Sequence, residues 1–230
     1  FRLAENRFWF VHPDGDLDTW LLANCNSFDV SISDPKSRVL QLQGPKSFQI
    51  MHDATKGALT QNFRYFHSGF FNVDGQQVYV SRTGWTGELG YEIYTLGEQT
   101  DCPRLWKHLM RKGEPFGMVF SSMQAMNIRR IEAGILDSGS DFDNSMTPFE
   151  AGLGKFVDFD KKGFIGHDAL RIATPGTRLF GLRCCDAIPH GSDLIVCDST
   201  SVGKVTTGAF SPYLDCGIGY VRFDKPSDWS

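Results

Sequence analysis

The chain has 230 residues, 41% of them hydrophobic and 22% charged, a balance that fits a globular protein able to bury a real core. A net charge of −4, with 23 Lys and Arg spread along the chain, excludes the basic face that nucleic-acid or polyanion binding needs. No apolar run approaches the ~18 residues of a membrane span, and the six Cys include no CxxC pair, which leaves zinc and dithiol redox chemistry without ligands.

Phe8 to Val11 is apolar and is expected to form a buried strand. Asp14-Gly15 is expected to turn, and Leu17, Trp20 and Leu21 then mark a helix face, with Asp14 or Asp16 as its cap. Phe28, Val30 and Ile32 alternate with polar residues, which predicts a strand and a β-α-β opening that ends at Pro35. Val39 to Gln43 predicts a further strand, Gly44-Pro45 a turn, and Lys46 to Asp53 a helix. Residues 72–81 predict a hairpin turning at Asp74-Gly75, with Val78 and Val80 inward. Tyr91 to Tyr94 predicts one more strand.

Pro103 suits a first helical turn, Leu105, Trp106, Leu109 and Met110 form one apolar face, and Gly113 is expected to end that helix. Ser121 to Ala133 predicts a second helix stopped by Gly134. From Phe180 the texture changes to short β-like runs at 179–183, 194–197, 202–207 and 218–223, the pattern of a small barrel or sandwich. Thr174 to Thr177 is the expected boundary before it. Three segments are therefore expected, 1–35 as the end of a β-α-β domain, 36–173 as a central α/β domain, and 177–230 as an incomplete β domain.

Between the predicted strands 72–81 and 91–94 lies a stretch in which Gly84, Gly87 and Gly90 recur every three residues. Glycines allow close backbone approach and positive φ. No Gly-Lys-Ser/Thr follows, as a P-loop would require. A strand comes next, where a dinucleotide fingerprint needs a helix. The neighbours Arg82, Trp85, Glu88, Tyr91 and Glu92 set this stretch apart from an ordinary connection. Trp85 and Tyr91 offer flat faces, and the Glu92 carboxylate can take the paired N–H groups of a pterin or guanine-like edge. Phe63 to Phe66, which includes Tyr65, is an aromatic cluster, and Arg130 ends an apolar helix where a cation satisfies terminal carbonyls. Glu132 is expected to pair with Arg129 or Lys155. Asp141, Asp143, Asp158 and Asp160 are expected to be solvated loop carboxylates. The thiols are expected to be reduced and mostly buried, in a cytoplasmic protein. No HExxH and no GxSxG is present.

Three segments taken in order, SRTGWTGELGYEIY (81–94), RRIEAGILDSGSDFD (129–143) and TPFEAGLGKFVDFDKKGFIGHDAL (147–170), resemble the glycine-cleavage T-protein family. RLAENRF (2–8) and LQLQGPKS (40–47) are similar to family segments as well. The resemblance implies an α+β cloverleaf of mixed domains around a folate channel, with a C-terminal small β-barrel. It implies tetrahydrofolate as cofactor and aminomethyltransferase activity, in which ammonia leaves an aminomethyl group on a lipoyl carrier and the methylene passes to the folate. By the same resemblance Glu92 would hold the pterin edge, Trp85 would line the ring, Tyr65 would sit beside it, and Arg130 would help place the folate or a substrate carboxylate. The family's catalytic aspartate is expected upstream of Phe1, and the chain is expected to be a fragment that lacks roughly a hundred N-terminal residues.

Trp85, where Tyr is usual, and the opening ENRFWF suggest a related alternative. That alternative is a tetrahydrofolate-dependent demethylase of a sulfonium, methylamine or methoxy donor, similar to dimethylsulfoniopropionate demethylase. A non-enzyme relative, a folate-binding accessory protein of iron–sulfur assembly, carries a Lys-Gly-Cys motif. Lys162-Gly163-Phe164 has no Cys there.

Overall fold

The computed structural model describes residues 1–12 and 16–225. The expected Asp14-Gly15 turn lies outside them. The chain divides into two compact units, 1–122 and 123–230, so the divisions expected at 35 and 173 do not coincide with this one.

Unit 1 opens with β1 (Arg2–Ala4) and β2 (Arg7–Phe8), a short antiparallel pair. Its ends are tied by Phe1 and Trp9, each donating its backbone N–H to the other's carbonyl. α1 (Leu17–Asn24) follows, capped by Asp16, whose carboxylate accepts from the Thr19 amide at 3.0 Å. Two expectations fail here. Of the 8–11 run only Phe8 is in a strand, and Phe8, Phe10 and Val11 are exposed. Residues 28–33 form no strand among the described residues, and Phe28 and Val30 are exposed. Alternation is a strand signal only where a partner and a buried face exist to use it.

β3 (Val39–Gln43), α2 (Ser47–Ala54), β4 (Ser68–Val73), β5 (Gln76–Ser81), β6 (Gly90–Tyr94) and α3 (Cys102–Gly113) complete the unit. The strands form one antiparallel sheet in the order β3-β6-β5-β4. β4 and β5 turn through Asp74 and Gly75, both at positive φ (54° and 80°), as a two-residue primed turn requires. One face of the sheet supplies Leu42, Val73, Val78, Val80, Tyr91 and Ile93 to a core closed by Ile50 and Met51 of α2 and Leu105 and Leu109 of α3. Period-2 alternation thus assigns the core side of each strand and leaves Gln41, Glu92 and Tyr94 on the other side. Asp101 caps α3 by accepting from the Arg104 amide. Arg104 in turn donates to the Asp74 carboxylate at 2.7 Å and to its carbonyl at 2.6 Å, fastening the hairpin turn to the helix. That ionic hydrogen bond holds the Asp74 carboxyl below its ordinary value. Trp106, expected on the apolar face, is 39% exposed.

Unit 2 begins with α4 (Met123–Glu132), ended by Gly134, and continues through irregular chain to α5 (His167–Ile172). β7 (Arg178–Cys184), β8 (Leu194–Cys197), β9 (Thr200–Ser211) and β10 (Cys216–Phe223) form an antiparallel sheet in the order β7-β10-β9-β8. All four strand positions expected from the sequence are occupied. Ile131 of α4 packs with Leu179, Ile218 and Tyr220. The mixture of helices with separate antiparallel sheets is the expected α+β class. Of the six cysteines, all free, only Cys216 is buried, so the expectation of mostly buried thiols is corrected.

Glu150, 7% exposed, organises the approach to β7. Its Oε2 accepts from the Thr147 amide and hydroxyl at 2.7 and 2.9 Å, and its Oε1 accepts from the Gly176 and Thr177 amides at 2.7 and 3.2 Å. Burial alone would raise this carboxyl, but these donors outweigh it and hold the group below its ordinary value. The stabilisation is therefore present above the unfolded-state value near 4.5 and is lost as pH falls through the lower folded-state value. Glu150→Gln should destabilise unit 2 by about 1–3 kcal/mol at neutral pH. Thermal melts of both proteins should converge as the solution is acidified below that value.

Candidate functional site

On the face of the unit 1 sheet turned away from α2 and α3, strand register sets the side chains in transverse rows. Gln41 of β3 pairs with Glu92 of β6, Glu92 with Ser81 of β5, and Ser81 with Ser68 of β4. The next row is Val39, Tyr94, Tyr79 and Phe70. A polar row thus runs beside an aromatic one. Phe1 and Trp9 cover the aromatic row, with ring centroids 5.2–5.7 Å from Tyr79 and Tyr94.

Glu92 is half-buried and held by its neighbours. Its Oε2 accepts from the Thr83 hydroxyl and from the Tyr94 hydroxyl at 3.1 Å, and its Oε1 accepts from Gln41 Nε2 at 3.2 Å. The Thr83 and Ser81 hydroxyls are 3.0 Å apart, and those of Ser68 and Tyr79 are 2.8 Å apart. Tyr94 is 4% exposed, and burial together with the Glu92 charge raises its hydroxyl well above the ordinary phenol value. It therefore stays protonated and keeps donating to Glu92.

The glycine-rich connection closes around a side chain of its own unit. The Gln43 amide lies between Gly84 and Gly90, where a Cβ on Gly84 would come within 2.1 Å of Oε1 and one on Gly90 within 2.3 Å of Cδ. Gln43 Oε1 accepts from the Thr86 hydroxyl at 2.8 Å, and Nε2 donates to the Thr83 and Tyr91 carbonyls at 3.4 and 3.5 Å. Two of the three glycines thus make room for Gln43, and the plugged turn carries Thr83 to Glu92.

Tyr65 is 61% exposed and stacks obliquely on Phe66, centroids 4.2 Å apart. Its segment is fastened to the end of β5. Phe66 N–H donates to the Arg82 carbonyl at 3.1 Å, Arg82 N–H to His67 at 2.9 Å, and an Arg82 guanidinium N–H to the Phe63 carbonyl at 2.9 Å. Trp85, half-buried, follows Thr83 by two residues. The fold thus ties the segments carrying Glu92, Trp85 and Tyr65 to one another within unit 1.

Arg130 belongs to unit 2 and is 1% exposed. It is ion-paired with Asp141, and its guanidinium also donates to Asn127 at 2.8 Å, to the Ile135 carbonyl at 3.2 Å and to Thr207 at 3.2 Å. The carbonyl belongs to Ile135, three residues past the end of α4, and so is not one of the helix's own terminal carbonyls. Asp141, expected as a solvated loop residue, is buried and also accepts from Thr206 and Thr207 at 2.8 and 2.6 Å. Tyr220, whose ring lies 5.6 Å from the Arg130 guanidinium, is pushed up to about 12 by burial. Glu132 pairs with Arg129, one of its two expected partners. The Arg130 guanidinium thus faces acceptors of its own unit. Gln41, Gln43, Thr83 and Tyr94 are not among the residues expected at the site. The alternation in 39–43 and 91–94 carries a signal for their shared face, but cross-strand register is not written locally.

Residues 1–161 match the family model described as the GCVT N-terminal domain, and residues 177–229 match the glycine cleavage T-protein C-terminal barrel domain. The chain belongs to the glycine-cleavage T-protein family. It is 34% identical to an aminomethyltransferase of Caldanaerobacter subterraneus subsp. tengcongensis, over 98% of this chain and 62% of that protein. The aminomethyltransferase of Halothermothrix orenii is also 34% identical, over 97% of this chain and 64% of its own length. Among solved structures, the glycine cleavage system aminomethyltransferase T from Bartonella henselae superposes with a TM-score of 0.75 at 24% identity, over 90% of this chain and 56% of that one. This T-protein chain therefore spans somewhat less than two thirds of the curated relatives' length.

The two buried devices make separable predictions. Arg130→Met, which leaves Asp141 uncompensated, should cost about 3–5 kcal/mol in urea denaturation, while replacing both partners with apolar residues should recover much of the loss. Gly84→Ala should cost about 1–3 kcal/mol by displacing the Gln43 amide. In a Gln43→Ala background the same substitution should cost far less, a coupling read from a double-mutant cycle of thermal melts.

Proposed function

We propose that this chain is the larger part of a tetrahydrofolate-dependent aminomethyltransferase, with the pterin edge at the polar row of unit 1. The observation that supports this most is Glu92. Its carboxylate is fixed by Thr83, Tyr94 and Gln41, beside a row of aromatic side chains. A carboxylate held in place by three side-chain donors fits a ring that is rich in N–H donors on one edge. When bound, tetrahydrofolate supplies the nitrogens that take the one-carbon unit. The residues described here supply position and charge.

In this reading Glu92 orients the pterin edge, Trp85 lines the ring and Tyr65 stands beside it. Arg130 acts indirectly, by holding α4 to the β9 and β10 side of unit 2. The donor is an aminomethyl group on the lipoyl arm of a carrier protein, and the protein works in the cytoplasm. The aminomethyltransferase relatives, 34% identical along nearly the whole chain, support this chemistry over methyl transfer.

Glu92→Ala should weaken tetrahydrofolate binding by more than about 1 kcal/mol, measured by calorimetric titration. Supplied with tetrahydrofolate and an aminomethyl-lipoyl carrier, the full-length protein should release ammonia and form methylene-tetrahydrofolate. Formation of 5-methyl-tetrahydrofolate alone, from a sulfonium or methylamine donor, would overturn the aminomethyltransferase assignment. Unchanged folate affinity in Glu92→Ala would remove the site.

A further inference from the structure

A carboxylate offers roughly four lone-pair positions to hydrogen-bond donors. Oε2 of Glu92 already accepts from Thr83 and Tyr94, and Oε1 accepts from Gln41. About one position therefore remains, on Oε1. A ligand edge with two adjacent N–H groups needs two acceptors side by side. Glu92 alone meets that need only by giving up a hydroxyl donor. Tyr94 is poorly placed to leave, because it is 4% exposed and sits under Phe1 and Trp9.

Gln41 supplies what is missing. It is the direct cross-strand partner of Glu92, on edge strand β3. Its amide orientation is fixed by charge, since only the NH₂ end can face a carboxylate oxygen. The carbonyl end, Oε1, is thereby turned away from Glu92 and accepts no hydrogen bond from the described residues. Two acceptors of different chemistry, a carboxylate oxygen and an amide oxygen, thus stand next to each other on exposed and half-buried residues of one sheet face.

We propose that Gln41 is a specificity-determining residue of this site, its side-chain carbonyl acting beside Glu92 as the second acceptor for the paired N–H groups of a 2-amino-4-oxo-pteridine edge. The inference rests on the tetrahydrofolate reading above. Gln41 takes the 2-amino group and Glu92 the neighbouring ring N–H. The pair therefore selects for the exocyclic amine, which a lone carboxylate with one open position would read weakly.

The test is calorimetric titration of the full chain with 5-formyl-tetrahydrofolate and with its analogue lacking the 2-amino group. The proteins compared are the wild type, Gln41→Met and Glu92→Ala. Gln41 is exposed, so the Met variant should keep the wild-type melting temperature. The expected result is that Gln41→Met binds the folate about three- to tenfold more weakly and the deamino analogue almost as well as the wild type does. Discrimination between the two ligands should largely disappear. Retained discrimination in Gln41→Met, or an equal loss for both ligands, overturns the role given to Gln41. A wild type that binds folate, with affinity lost in Glu92→Ala and not in Gln41→Met, rejects this inference and leaves the folate reading standing. A wild type that binds neither ligand rejects both.

Discussion

β6 is paired on both sides, to β3 and to β5, and its register decides which way each of its side chains points. Tyr91 and Ile93 enter the core under α2 and α3, while Glu92 and Tyr94 face outward. A slip of one residue would carry a carboxylate into an apolar core and expose two of its largest members. The cost of that exchange locks the register, and the register in turn aligns Gln41, Glu92, Ser81 and Ser68 in a row. The candidate site is therefore a consequence of core packing on the opposite face of the same sheet. No loop has to be held in a special conformation to form Glu92's environment, apart from the one that delivers Thr83.

That loop is the glycine-rich connection, and its organisation is internal. Gln43 fills the space between Gly84 and Gly90, so the absence of two Cβ atoms serves a protein side chain. The same turn carries Trp85 and presents Thr83 to Glu92. Gln43 and Gln41 are two residues apart on β3 and do different work from one face, the first supporting the turn and the second contacting the carboxylate. Unit 2 uses comparable means for other ends. The pair of Arg130 and Asp141, and the four donors on Glu150, place buried charge where chain segments without regular structure must be held. Buried ionic groups are costly unless fully partnered. Both carboxylates here are partnered, largely by backbone amides and hydroxyls from residues distant in sequence.

Strand and helix positions from 39 to 134, and the four strands beyond 177, were legible because local alternation and turn residues agree with the tertiary outcome there. The opening was not. Residues 28–33 alternate as cleanly as 39–43, yet no strand pairs with them in the described structure, and Phe28 and Val30 are exposed. Alternation reports a capacity to lie between two environments, and only a partner can supply the second one. Asp141 was misjudged for a related reason. A carboxylate in a Gly- and Ser-rich segment looks solvated until Arg130, eleven positions away, is brought onto it.

By itself the sequence determined the α+β composition, the family and the hairpin at Asp74-Gly75, and it marked Glu92 as the candidate pterin-edge carboxylate, since periodicity, turn chemistry and motif order are local properties of the chain. Only the tertiary structure decided that Gln41, Thr83 and Tyr94 surround that carboxylate, that the glycines close on Gln43, and that Arg130 is buried against Asp141. These are contacts between residues up to 51 positions apart. Their formation depends on which strands pair and in which register, and that is set by burial of the whole apolar face at once.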